Sequence, residues 1–182
     1  SQDSALKKII ITELSNGNAM ASSVFAQCTQ LNSVEIGSTI TQIPANCFTN
    51  AGTESETGIE IKISQHSKLK KILSSAFSGI NLNETNKTID LGECNELEAI
   101  ADSAFEDATN LDTIILPIDT KKMEFGAKAF AKTEVTQLHV KGLDEDGVVV
   151  PDYVTEFGDA CFYGNTKMQR FIFPNNADMK KI

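Results

Sequence analysis

The chain is poor in the residues and runs that define several common protein classes. Its 182 residues include no Trp, only two Tyr and two His, and 16 Lys and Arg stand against 25 Asp and Glu, which gives a net charge of −9. This charge repels a polyanion, and no stripe of Lys and Arg offsets it. No apolar run approaches the ~20 residues that a membrane span needs. The sequence therefore predicts neither a nucleic-acid partner nor membrane insertion.

The motifs of common catalytic and cofactor sites are also missing. The sequence has no phosphate-binding glycine loop, no nucleophile elbow, no His-Glu-x-x-His and no paired-Cys metal spacing. His66 lies in a polar stretch, and His139 is predicted to be a solvated residue on the outward side of a strand. Asp144-Glu145-Asp146-Gly147 lacks the other ligand positions of a calcium loop and is interpreted as a solvated insertion. We therefore predict that the chain is not an enzyme and holds no metal or cofactor.

Four cysteines raise the question of disulfides. Cys47 and Cys161 occupy equivalent places in repeats that are four coils apart, which exceeds the ~7 Å between Cα atoms that a disulfide tolerates. Cys28 and Cys94 stand at other offsets. All four are predicted to be reduced thiols, most of them packed as small hydrophobic residues.

What the chain does contain is a repeat built on phenylalanine. Six of its ten Phe recur at intervals of 23 to 32 residues, in the range that marks repeat architectures. Each follows a small or compact residue and has a large apolar residue, Φ, five places earlier, so the unit is Φ-x-x-x-[AVC]-F. The six are Phe25, Phe48, Phe77, Phe105, Phe130 and Phe162, and their Φ residues are Met20, Ile43, Ile72, Ile100, Phe125 and Phe157. This spacing suits one or two helical turns and does not suit an extended strand.

A second block in each repeat alternates apolar and polar residues, as in Val34-Glu35-Ile36, and predicts a short strand with one buried face. Seven such blocks surround Ile9, Val34, Ile61, Ile89, Ile114, Leu138 and Phe171. Val148-Val149-Val150-Pro151, in the longest repeat, is a candidate extra strand. Stacked coils of strand, turn and return bury the Phe residues in one continuous core beside a parallel sheet. Residues 1–182 are therefore predicted to form a single α/β repeat solenoid, right-handed, with six to seven irregular coils and short helical or irregular returns.

At this level of detail the sequence resembles a known family. The run from Ser23 to Ile36 is similar to the leucine-rich repeat of BspA-like bacterial surface proteins, AF-x-x-C-x-x-L-x-x-I-x-I-P, and the runs 111–117 and 168–174 match its second half. The spacing is irregular, and only Cys28 retains the family cysteine. The resemblance implies a secreted or cell-surface bacterial protein whose solenoid recognises or adheres to a protein or host component.

If the solenoid binds a partner, the outward strand positions are the candidate surface, because the core does not constrain them. This candidate partner-binding stripe consists of Ile10, Glu35, Lys62, Asp90, Ile115, His139 and Ile172. Its three isoleucines are apolar where solvent favours polar residues, which is consistent with a partner surface. The alternative is that neighbouring loops or domains cover them.

Two other functions are compatible with the sequence, namely a structural spacer and an accessory region of a larger surface enzyme. Met179 and Ile182 resemble the start of another Φ unit, and Leu6 opens a strand block that no Phe unit precedes. We therefore expect a fragment of a longer chain, with an open end that can associate edge to edge.

Overall fold

The structure, a computed structural model, describes residues 5–12, 20–143 and 146–174. Over these residues the chain forms short β-strands joined by turns, without an α-helix. The strands are β1 (Lys8–Ile11), β2 (Ser33–Ile36), β3 (Gln42–Ile43), β4 (Glu60–Ile63), β5 (Lys71–Ile72), β6 (Thr88–Asp90), β7 (Ala99–Ile100), β8 (Thr113–Leu116), β9 (Met123–Phe125), β10 (Gln137–Val140), β11 (Val148–Val149), β12 (Val154–Phe157) and β13 (Phe171–Ile172).

All seven strands predicted from the alternating blocks are present. These outer strands, β1, β2, β4, β6, β8, β10 and β13, pair in parallel in two sheets, with the orders β1-β2-β4 and β6-β8-β10-β11-β13. Strand β11 confirms the extra strand expected near Val148, and it pairs between β10 and β13. Inward residues such as Val34 and Ile114 are fully buried, as the alternation predicts. The parallel solenoid is therefore confirmed.

A separate sheet, β3-β5-β7-β9-β12, here called the second sheet in distinction from the two outer sheets, runs through the repeats where the sequence suggested helical turns. Its strands are parallel and place Ile43, Ile72, Ile100 and Phe125 in register. The interpretation that the Φ-x-x-x-[AVC]-F spacing does not suit a strand is wrong for its first residue, because Φ ends a short strand before the chain turns. Four of the five strands have only two or three residues, too few to show a period of two.

The segment around each Phe forms a third ladder between coils, made of turns. The amides of Phe25, Phe48, Phe77 and Phe105 each donate to the carbonyl of the residue before the next repeat Phe, at 2.8 to 3.0 Å. Residues two places before and two places after each Phe have positive φ. The returns are therefore irregular rather than helical.

The six repeat phenylalanines stack in one column through the interior. Successive ring centroids lie 5.2 to 5.6 Å apart, with interplanar angles of 5 to 17°. The four inner rings are buried, whereas Phe25 and Phe162 at the two ends are half-buried. The rings are thus successive rungs of a shared elongated core, as the repeat predicts.

Candidate functional site

The predicted stripe begins with three outward residues of the first outer sheet, Ile10, Glu35 and Lys62, here called the N-terminal row. In the strand register Ile10 is opposite Glu35, and Glu35 is opposite Lys62. Lys8 Nζ lies 2.7 Å from Glu35 Oε1, and Lys62 Nζ lies 3.0 Å from Glu60 Oε2. The hydrogen bond from Lys8 lowers the pKa of Glu35, and the hydrogen bond to Glu60 raises the pKa of Lys62. The two charged residues of this row are ion-paired and partly exposed, and its third residue, Ile10, is 54% exposed.

The stripe continues on the second outer sheet in the C-terminal row, which is mostly apolar. Asp90 is opposite Ile115, and Ile115 is opposite His139. Val149, which the sequence did not place in the stripe, lies between His139 and Ile172 because β11 enters the sheet between β10 and β13. Asp90 Oδ1 accepts a hydrogen bond from the amide of Gly92, so its carboxylate is held at the end of its strand. Ile115, Val149 and Ile172 are half-buried.

His139 occupies the outward strand position that the sequence predicts, opposite Ile115, but it is not solvated. The prediction of a solvated histidine is wrong, because only 8% of His139 is exposed. Its Nδ1 lies 3.2 Å from the carbonyl oxygen of Val140. The extra strand β11 lies beside β10 and covers the outward side of His139 with Val149. This covering strand comes from an insertion that is particular to one repeat, so the repeat pattern does not predict it.

An apolar groove of about 320 Å³ opens beside His139, Val149 and Ile172. Its wall includes Leu143 and Phe173, residues that are 52% and 50% exposed. The remaining lining residues are Val140, Val150, Pro151 and Asp152. Large apolar side chains that remain this exposed beside a concave surface are typical of an interaction site.

A larger and strongly charged cleft, of about 580 Å³, lies on the second sheet and was not predicted. Lysines and glutamates alternate across it, with Lys70 and Glu96 separated by 3.3 Å and Lys71 and Glu98 by 4.0 Å. These groups are about half exposed and neutralise one another in pairs, and such surface pairs are weak. Four lysines and three glutamates line the cleft, so it carries an excess of only one positive charge.

All four cysteines are free and buried, in agreement with the prediction of reduced thiols. Burial raises the pKa of the Cys47 and Cys161 thiols to about 12, and that of Cys94 to about 11. Because the thiolate is the reactive form of cysteine, these groups are unreactive at neutral pH. They serve as small apolar packing residues.

Over the described ranges, no group of three or more His, Cys, Asp or Glu side chains is arranged to hold a metal ion. Asp144 and Glu145, the centre of the acidic insertion considered above, lie outside those ranges. Among the described residues no helix has the length and apolar character required to cross a bilayer.

Comparisons with known proteins agree with the repeat pattern and the fold. A family model described as the BspA type leucine-rich repeat region matches residues 18–146 and 141–182, in six copies. No curated protein and no solved structure matches the chain. The family match covers most of the sequence and includes all six phenylalanine units, so the chain belongs to the family of BspA-type leucine-rich repeat proteins.

Proposed function

We propose that this chain is a non-catalytic recognition module, displayed on a bacterial cell surface or secreted, which binds a protein or host component. The observation that carries the proposal is the apolar groove at the end of the C-terminal row. Leu143 and Phe173 expose about half of their surface there, next to the half-buried Val149 and Ile172. Exposed aromatic and aliphatic side chains around a concavity are typical of the centre of a protein interface.

The N-terminal row offers an internal contrast. It occupies equivalent strand positions, but its charges form the Lys8–Glu35 and Lys62–Glu60 ion pairs, whose side chains are 36 to 57% exposed. Solvated ion pairs at the rim of an interface contribute little to affinity. We therefore place the binding energy in the C-terminal row and its groove.

The test compares two variants that introduce a charge at similarly exposed aliphatic residues. Leu143→Asp places a carboxylate in the groove, whereas Ile10→Asp places one in the N-terminal row, at a residue that is 54% exposed. The immobilised chain is presented with a panel of purified extracellular-matrix and serum proteins, and affinities for each retained protein are measured by interferometry. Leu143→Asp is expected to weaken binding at least about tenfold, equivalent to about 1.4 kcal/mol, and Ile10→Asp to leave it unchanged.

Equal affinity of both variants for every retained protein would refute the groove as the binding surface. A chain that retains nothing from the panel would favour the spacer function, for which the chemistry of the outward rows is irrelevant. Circular dichroism spectra identical to that of the unmodified chain serve as the folding control for both variants.

A further inference from the structure

The outer wall of the solenoid is interrupted once among the described coils, between β4 and β6. One β-bridge, Ile59 to Leu82, joins the two coils before the strands, and the His66 amide donates to Glu93 Oε2 at 3.2 Å beyond them. The strands themselves do not pair. Ile61 and Ile63 are half-buried, whereas their register partners Val34 and Ile36 are buried to 0% and 1% exposure. We call this interruption the seam.

Backbone donors are left without strand partners along the seam. The amides of Glu60 and Ser64 donate to carbonyls of the preceding coil, at Asn32 and Ile36. Because amides alternate sides along a strand, those of Ile61 and Ile63 point towards β6. The interruption is too narrow for an added strand, since some Cα atoms of β4 and β6 lie within 8 Å of each other and an inserted strand needs a separation of ~9.6 Å. The seam is thus a parting between neighbouring strands rather than a binding slot.

The cause of the seam is a five-residue insertion, 83–87. Leu82 forms a β-bridge with Ile59, the residue just before β4. The carbonyl of Lys87, the residue just before β6, accepts the amides of Asp112 and Thr113 at the start of β8. Leu82 and Lys87 therefore occupy the same position in the repeat, and the five residues after Leu82 are additional. The insertion closes on itself, because Asn83 Oδ1 accepts the amide of Thr85 at 2.8 Å. It acts as a wedge that separates β6 from β4.

The opposite wall is uninterrupted at the same level. Strands β5 and β7 pair through Lys71 with Ala99 and Ile72 with Ile100. The rings of Phe77 and Phe105 stack at 5.3 Å with an interplanar angle of 9°. We propose that the seam is a hinge: the coils on its two sides rotate relative to each other, with the second sheet and the ring stack as the pivot, and opening exposes Ile61 and Ile63 further. Two coils whose strands are hydrogen-bonded along one wall only can separate along the other wall.

The hinge is tested on the full chain with two matched pairs of spin labels on introduced cysteines. Ile10 and Ile115 lie four strand steps apart across the seam, and Asp90 and Ile172 lie four steps apart within the continuous sheet. The pair within the continuous sheet spans roughly 19 Å between backbones at ~4.8 Å per step, and the pair across the seam spans somewhat more because one of its steps is unpaired. The unmodified chain, with its four buried thiols, provides the labelling blank. Electron–electron double resonance is expected to give a distance distribution about twofold broader for the pair across the seam.

Deletion of residues 83–87 is expected to close the seam and to abolish the hinge motion. The deletion joins Leu82 to Thr88 and brings Ile89 opposite Ile61, with Asp90 opposite Lys62, in continuation of the Ile59–Leu82 bridge. The distribution for the Ile10–Ile115 pair is then expected to narrow to that of the control pair, and the Ile61 and Ile63 amides to become protected from hydrogen exchange. Equal widths for the two pairs in the unshortened chain would overturn the hinge, and this comparison decides the matter even where the deletion variant does not fold.

Discussion

The phenylalanine column allows the energetics of the core to be tested at one position. The ring of Phe105 is fully buried and stacked on both faces, against Phe77 at 5.3 Å and Phe130 at 5.6 Å. Truncation of a buried Phe to Ala costs about 3–5 kcal/mol in lost burial and residual cavity. Each aromatic pair is worth a further ~0.5–1.5 kcal/mol beyond its area. We expect Phe105→Ala to lower the free energy of unfolding by about 4 kcal/mol or more, a large part of the ~5–15 kcal/mol of a typical domain.

Two control variants separate the contributions. Phe25 is half-buried and stacks on one neighbour only, Phe48 at 5.5 Å, so Phe25→Ala is expected to cost about 1–2 kcal/mol. Phe105→Leu retains most of the apolar volume and loses the stacking, so it is expected to cost about 1–2 kcal/mol. It remains measurable even where the alanine variant unfolds.

The measurement is urea unfolding followed by circular dichroism, with the slope against urea as a check that the transition stays cooperative. Hydrogen exchange then reports whether the damage spreads, since in a solenoid each coil depends on its neighbours. We expect faster exchange in the coils of Phe77 and Phe130 as well as in that of Phe105. Equal costs for Phe105→Ala and Phe25→Ala, with exchange changed only at the mutated coil, would refute the shared column.

Three further changes test the turns, the ionic row and the thiols. Gly58→Ala is expected to lower the free energy of unfolding by at least about 2 kcal/mol, measured by thermal or urea unfolding, because Gly58 has φ +68° and a Cβ there would lie 2.3 Å from the Leu82 carbonyl oxygen. The control is Ala160→Gly, at φ +58°, whose free energy of unfolding is expected to stay within about 1 kcal/mol of that of the unmodified chain. Lys8→Met is expected to raise the pKa of Glu35 towards its ordinary value in an NMR titration. Because the Lys8 contact lowers the pKa of Glu35 in the folded chain, the stabilisation that it provides is present above the ordinary pKa and is lost as the pH falls through the folded pKa. An unchanged Glu35 titration would contradict the contact. Finally, Ellman's reagent at pH 8 is expected to react with all four thiols in denaturant. In the folded chain it is expected to react with none of Cys47, Cys94 and Cys161, because burial raises the pKa of these thiols. Rapid reaction of these three without denaturant would show that they are not buried.

The outer strands and the ring column could be predicted because each follows a period in the sequence. Val34 and Ile36 alternate with Glu35, and this pattern alone identifies a strand and its buried face. The Phe spacing predicts the stack because equivalent positions of stacked coils must superpose. Both signals lie within one repeat and require no knowledge of distant contacts.

The second sheet and the burial of His139 could not be predicted in the same way. In β5 only Lys71 and Ile72 are extended, and two residues cannot establish a period. His139 is covered by β11, a segment from the insertion that follows it, so its burial depends on where that insertion packs. The sequence suggested the extra strand at Val148 but did not indicate which residue the strand would cover.

The hydrogen bonds of Asn110 were missed for a related reason. Asn110 is 9% exposed, and its Oδ1 accepts the Leu82 amide at 3.0 Å. Its Nδ2 donates to the Leu82 carbonyl at 2.6 Å and to Asn81 Oδ1 at 3.1 Å. All three partner groups lie in the preceding coil, so no local sequence motif predicts these hydrogen bonds. A buried amide with every group paired is typical of an interior polar residue.

The contrast between the two outward rows connects the fold to the proposed function. Backbone hydrogen bonds hold the coils together in all three ladders, and the inward side chains fill the core, so neither requires a particular residue on the outward face. The same parallel register nevertheless presents the Lys8–Glu35 ion pair at one end and an exposed apolar groove with Leu143 and Phe173 at the other. Exposed apolar area of this kind reduces solubility and adds little to folding stability. Exposed apolar residues gathered around a concavity are therefore better explained by a bound partner than by the needs of the solenoid, and the comparison of Leu143→Asp with Ile10→Asp tests this explanation.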